Sequence, residues 1–242
     1  MADGFLKDRR VLITGGAGGV GRETAARMLA AGAKVVSADI PGATRHAEGS
    51  MTFAGDLARQ DEVERLFELV DAQLGGLDIL VAGAGLPADP LMKIDDAGWR
   101  QVIDANLVSY LGCTKKAIER IRRSGRDAEA SLGQVILVGS ISVHIKAVGE
   151  SVYNASKGGV ALFAETLRKE MIPEKIRVTL IEPGAIATHL QPYSAEKLAE
   201  FEKSHEMLPA GEVAEAIMFA ATRPSSVDVV TLRIEPLVQK IV

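Results

Sequence analysis

Short apolar runs alternate with amphipathic stretches along this 242-residue chain, and that alternation governs what it can fold into. Val11-Leu12-Ile13 is the first such run, and residues 34–38, 51–54, 78–82, 134–138, 176–181 and 229–234 continue the series. The runs are continuously apolar, so a sheet made from them has both faces covered, as in a parallel sheet wrapped by helices. Between the runs, Val63, Leu66, Phe67, Val70 and Leu74 fall at offsets 3, 4, 7 and 11 from the first, which is one face of a helix over residues 61–74. Further helices are expected over residues 19–31, closed by Gly32, and over 104–121, 152–171 and 211–221. Residues 83–95 and 182–208 read as long irregular loops. Both follow the carboxyl ends of strands, where open α/β sheets bind ligands.

Composition removes several function classes. Hydrophobic residues make up 47% and charged residues 25%, ordinary globular values. The formal net charge is −4, so no global attraction to nucleic acid or anionic lipid exists, and neither is expected as a partner. The single cysteine, Cys113, permits no intrachain disulfide and no paired-cysteine metal site, and reads as an apolar filler on a helix. No HxxxH or HExxH pattern joins His46, His144, His189 and His205, so no metal site is expected. No run of about 18 apolar residues is present to span a membrane. Lys7, Asp8, Arg9 and Arg10 surround only Phe5 and Leu6, unlike the apolar core of a signal peptide. The expectation is a cytoplasmic protein without a membrane partner.

The first strand runs straight into Thr14-Gly15-Gly16-Ala17-Gly18-Gly19-Val20-Gly21. Glycines there let backbone approach a pyrophosphate at a helix N-terminus, whose free N–H groups and dipole favour an anion. The position between strand and helix is the context such a motif requires; the alternative is a structural glycine turn. A P-loop is disfavoured, because Arg22-Glu23 stands where Lys-Ser/Thr is needed. Asp39 ends the second strand 18 residues after Gly21, placed to accept from both adenosine ribose hydroxyls. Its charge would repel a 2′-phosphate, and the apolar Ile40 beside it offers that phosphate nothing. NAD is therefore favoured over NADP, with Arg22 and Arg45 keeping NADP open.

Tyr153 and Lys157 lie four residues apart, on one face of the expected helix. An ammonium beside a phenol favours the phenolate and brings its pKa down toward useful acid/base range. Ser140 ends the strand just before them.

Taken together, Thr14-Gly15-xxx-Gly19-x-Gly21, Asp39, Asp56-Leu57, Asn106, Ser140, Tyr153-xxx-Lys157 and Pro183-Gly184 with Thr188 resemble the short-chain dehydrogenase/reductase family. The resemblance runs from Arg10 to about residue 235. It implies a single Rossmann-type domain over residues 1–242, with a doubly wound seven-stranded parallel sheet and helices on both faces. Tyr153 would be the acid/base and Lys157 would bind the nicotinamide ribose. Ser140 would hydrogen-bond the substrate oxygen, and Asn106 would hold a water relaying protons to Lys157. Gly15, Ala17, Gly18, Gly19, Val20 and Gly21 would cradle the cofactor, with Asp39 and Ile40 at its ribose and Asp56 and Leu57 at its adenine. Ala82, Gly83 and Ala84 would pass behind the ribose, and Pro183, Gly184, Ile186 and Thr188 would line the nicotinamide. Ser142 and His144 are candidate substrate contacts, under a lid at residues 185–208.

Two departures from the family pattern stand out. Ala82-Gly83-Ala84-Gly85 replaces the usual Asn-Asn-Ala-Gly, and the frequent C-terminal Asp-Gly-Gly is missing. The ending Val229-Val230-Thr231-Leu232-Arg233-Ile234-Glu235-Pro236 resembles instead the subgroup of 3-hydroxy acid and small-alcohol dehydrogenases. The implied function is interconversion of a secondary alcohol and a ketone with a nicotinamide cofactor, in a homotetramer or homodimer. A same-fold epimerase or dehydratase, or a dinucleotide-sensing regulator, are the alternatives.

Overall fold

Seven parallel strands form one sheet in the order β3-β2-β1-β4-β5-β6-β7. The strands are β1 (Arg10–Thr14), β2 (Lys34–Asp39), β3 (Met51–Ala54), β4 (Ile79–Ala82), β5 (Gly133–Val138), β6 (Ile176–Pro183) and β7 (Thr231–Ile234). The computed structural model describes residues 6–124 and 133–239, so part of the N-terminal stretch read from sequence lies outside the described residues. The order reverses between β1 and β4, which opens a crevice at their carboxyl ends.

Continuous apolar strands cover both faces by alternating their side chains. Leu12, Leu80, Val135 and Leu137 point into one core with Val63, Phe67 and Val70 of α2 (Gln60–Leu74). Tyr110 and Ile121 of α4 (Ser109–Arg123) and Val160 and Leu167 of α6 (Ser151–Met171) belong to the same core. Val11, Ile13, Val81 and Ile136 point the other way. There they meet Ala25 and Met28 of α1 (Gly19–Ala30) and Val213 and Ile217 of α8 (Ala210–Ala221). Cys113 is buried in the first core, where burial pushes its thiol up to about 12, so it serves as filler.

Three stretches differ from the sequence expectation. The helix expected from residue 104 begins eight residues earlier, as α3 (Asp96–Ile103), because Asp95 caps it by accepting from Gly98 N at 2.7 Å. A π turn at Asp104–Val108 then joins α3 to α4, its end marked by Ser109 N donating to Asp104 O. The long stretch before Leu208 is not wholly irregular. Ser194 caps α7 (Ala195–Lys203), and Leu208 N donates back to Ala185 O at 2.8 Å. A single-turn helix, α5 (Ser142–Ile145), follows β5. No helix among the described residues is long and apolar enough to cross a membrane.

Candidate active site

The loop from β1 to α1 is built by glycine. Gly15 has φ +71°, and a Cβ there would stand 2.7 Å from the backbone nitrogen of Ala84. Only glycine lets the β1 and β4 turns approach so closely. Gly83 N donates to Thr14 O at 3.1 Å and reaches Thr14 Oγ1 at 3.3 Å. Thr14 thus holds the turn in which Ala82-Gly83 replaces the family's paired asparagines. No side chain caps α1, so its first-turn N–H groups stay available to an anion.

Asp39 stands at the end of β2 against this loop. Its Oδ2 accepts from Ala17 N at 2.9 Å and its Oδ1 from Ile40 N at 2.8 Å. Ile40 itself is exposed, and Arg22 pairs with Glu23 at 3.4 Å. Asp56 accepts from Ala58 N at 3.1 Å beyond β3, while the Leu57 side chain is buried in the core.

On the far side of the crevice, α6 carries Tyr153 and Lys157 one turn apart. Lys157 is buried; its Nζ donates to Val138 O at 3.0 Å and to Tyr110 Oη at 3.3 Å. Burial pushes the Lys157 ammonium down to about 8. The Tyr153 phenol lies above its ordinary value of 10.0, raised chiefly by burial and lowered by a hydrogen bond with Ser140. The lowering expected from Lys157 gives way here to Ser140, because the ammonium is turned to Val138 and Tyr110.

Asn106 sits in the π turn, fully buried. Its Oδ1 accepts from Leu86 N at 2.7 Å, and its Nδ2 donates to Leu86 O at 2.9 Å and Ser156 Oγ at 3.1 Å. This side chain pins the β4 turn to α6. A Cβ on the neighbouring Gly85 would lie 3.3 Å from Asn106 Oδ1 and 3.5 Å from Lys157 Nζ. The extra residue of a π turn commonly marks such functional positions.

One cavity of about 810 Å³ joins these parts. Gly15, Gly18, Gly19, Val20, Gly21 and Gly83 line one end, while Ser140, Ser142, Tyr153 and Lys157 stand on its wall. Pro183, Gly184, Ile186 and Thr188 line it as well, with Thr188 against Gly19. His144 is not on the wall. Its Nε2 is 2.9 Å from Glu182 Oε1 and 2.6 Å from Arg233 Nη2, so the ring ties α5 to β6 and β7. Asp39, Asp56 and Leu57 lie beyond the enclosed part. Sequence reading missed Tyr110 and Gln239, whereas Glu150 and Glu206 fall in segments it reads as lining the substrate pocket. Tyr110 acts through Lys157, and Gln239 lines the cavity without any motif to flag it. Among the described residues no group of three His, Cys, Asp or Glu side chains is placed to hold a metal.

A profile described as short chain dehydrogenase matches residues 9–199. The chain belongs to the short-chain dehydrogenase/reductase family. That family consists of oxidoreductases that use nicotinamide cofactors. A 3-oxoacyl-[acyl-carrier-protein] reductase of Synechocystis sp. is 32% identical, over 89% of this chain and 90% of its own length. A cis-4-hydroxycyclohexanecarboxylate dehydrogenase of Sinomonas cyclohexanicum is 30% identical, over 93% of this chain and 94% of its own. The crystal structure of a dehydrogenase/reductase from Sinorhizobium meliloti 1021 matches the fold with a TM-score of 0.81 at 23% identity, covering 96% of this chain and 95% of that one.

Proposed function

We propose that this enzyme interconverts a secondary alcohol and a ketone, with NAD as cofactor. The observation that carries the reading is that Ser140 and Tyr153 stand together with Lys157 on the wall of one cavity that begins at the glycine turn. The residues fit a dinucleotide. A pyrophosphate would meet the uncapped α1 N-terminus, and Asp39 stands where a ribose would present its hydroxyls. Asp56 and the backbone of Leu57, whose side chain is turned into the core, would flank the adenine, and Pro183, Gly184, Ile186 and Thr188 the nicotinamide. When bound, the nicotinamide supplies the hydride acceptor or donor.

The chain's own residues handle the proton and the oxygen. Ser140 Oγ and Tyr153 Oη converge on one substrate oxygen. In oxidation Tyr153 takes the hydroxyl proton, and in reduction it returns it. Ser140 stabilises charge developing on that oxygen. Lys157, held by Val138 and Tyr110, would reach the nicotinamide ribose, and Asn106 would position a relay water beside it. Residues 185–208 form a lid over this end.

A homo-oligomer is part of the proposal. Val108 and Leu111 near the start of α4 and Leu162 on α6 expose large apolar side chains, which a second copy would cover.

The test is a panel of secondary alcohols and ketones assayed with NAD and NADP, following reduced-nicotinamide absorbance. Turnover is expected, and Tyr153→Phe should lose about 10²–10⁴-fold in kcat. No turnover of any panel member, or a Tyr153→Phe variant above about a tenth of wild-type kcat, would overturn the assignment.

A further inference from the structure

Acidic side chains outnumber basic ones on the cavity wall. Asp89, Glu150 and Glu206 bring carboxylates to it, and among the described lining residues Lys157 is the sole cation. The Lys157 ammonium is already engaged by Val138 O and Tyr110 Oη. The rest of the substrate end is largely apolar, with Leu86, Ile145, Leu190, Tyr193, Phe201 and Met207 on its wall. Tyr193 and Phe201 pack edge to face at 5.1 Å.

Among the lining acids, Glu150 is the one whose charge acts on Tyr153. It immediately precedes α6, one turn before Tyr153. Its backbone carbonyl accepts from Asn154 N at 2.7 Å, while no described residue makes a hydrogen bond or ion pair with its carboxylate. Half-burial pushes that carboxyl above its ordinary range, and its charge in turn pushes the Tyr153 phenol upward.

We propose that Glu150 sets the substrate class: the enzyme takes an uncharged secondary alcohol or ketone and rejects hydroxy acids by like-charge repulsion. A carboxylate one or two carbons from the reacting oxygen would enter this cavity without a free cation to pair with. Desolvating it beside Glu150 is unfavourable, and a neutral ester of the same skeleton escapes that term. The inference rests on the proposed alcohol–ketone chemistry and divides the 3-hydroxy acid from the small-alcohol half of the subgroup that the C-terminus resembles.

The experiment uses matched pairs in the same panel, such as methyl 3-hydroxybutyrate against 3-hydroxybutyrate, with the wild type and Glu150→Gln. The wild type should favour the ester by at least about tenfold in kcat/KM, equivalent to about 1.4 kcal/mol. Glu150→Gln should narrow that ratio, mainly through a lower KM for the acid. In the oxidation direction it should also move the acid limb of the kcat/KM profile, above which Tyr153 is free to take the proton, to lower pH. The titratable groups that face Tyr153 are Glu150 and Lys157 at and on α6 and Tyr110 on α4, with the Ser140 hydroxyl beside it and Asp89 and Glu206 elsewhere on the cavity wall. The variant removes one of them. In the wild type the ester preference should also shrink as ionic strength rises, a readout that needs no variant.

Equal or better turnover of the acid by the wild type overturns the proposal. So does an ester preference that Glu150→Gln and salt both leave unchanged. If no alcohol or ketone in the panel reacts with either cofactor, the parent reading fails and this one falls with it.

Discussion

Lys157 Nζ donates to the Val138 carbonyl at 3.0 Å from a position that burial makes hostile to its charge. The folded state bears that desolvation, offset in part by the hydrogen bonds to Val138 O and Tyr110 Oη. With its pKa near 8 in the fold and 10.5 as the ordinary value, the unfolded chain binds more protons between those limits. Stability therefore rises with pH across that window, by about 3 kcal/mol in all for this group. Below pH 8 the full penalty is present. Lys157→Met should raise Tm at pH 7 while abolishing turnover, and its advantage over wild type should shrink between pH 8 and 10.5. Thermal melts across that range, in the absence of cofactor, read the effect. A variant that melts lower at every pH would show that the ammonium's hydrogen bonds outweigh its burial.

Ser140 draws the Tyr153 phenol down against burial and the Glu150 charge. Ser140→Ala should therefore shift the acid limb of the kcat/KM profile for alcohol oxidation to higher pH, opposite to Glu150→Gln. Loss of an oxygen-stabilising donor should also lower kcat by about 10²–10³-fold. Rate–pH profiles of the two variants side by side check the signs, and shifts in the same direction would contradict the electrostatics.

Asp39 does two jobs in the structure, holding Ala17 N and presenting charge at the end of β2. Asp39→Asn keeps an acceptor for Ala17 and removes the charge, whereas Asp39→Ala removes both. The wild type should prefer NAD by at least about tenfold in kcat/KM, or about 1.4 kcal/mol. Asp39→Asn should erode that preference mainly by admitting NADP, and Asp39→Ala should in addition weaken both cofactors. Parallel saturation curves with the two dinucleotides measure this; a wild type that uses NADP equally well counts against the assignment.

Arg10 and Asp78 form a buried two-pronged ion pair, with Nη2–Oδ1 at 2.7 Å and Nε–Oδ2 at 3.0 Å. Asp78→Ala leaves the guanidinium buried without its carboxylate and should cost about 3–5 kcal/mol. Denaturant unfolding of the variant checks this. A loss below about 1 kcal/mol would mean that solvent reaches Arg10 freely.

The sheet was legible because its signal is local. Each strand is a run of consecutive apolar residues, and α2 shows its face in five positions. The glycine turn, Asp39, Ser140, Tyr153 and Lys157 could be named because fixed spacings carry them. Less legible was whatever depends on tertiary neighbours. The start of α3 hangs on the Asp95 side chain, a cap signal inside a stretch read as loop. The π turn at Asp104–Val108 leaves no mark in hydrophobic period. His144 lies in the right segment for substrate, but Glu182 and Arg233, far along the chain, decide where its ring turns. Tyr110 belongs to no motif, and only folding brings it beside Lys157.

Because both faces of this sheet are buried, a one-residue slip of a central strand would exchange one apolar core for another at little hydrophobic cost. Strand interiors thus carry almost no positional address. The address is written at the strand ends: Arg10 N on the Asp78 carboxylate, Asp78 N on Arg10 O, and Gly83 N on Thr14. Exchanges among valine, isoleucine and leucine within β1, β4 and β5 should cost packing energy, about 0.5–3 kcal/mol each, yet leave the register unchanged, whereas the polar residues at the ends of β1 and β4 spell out where each strand begins and stops.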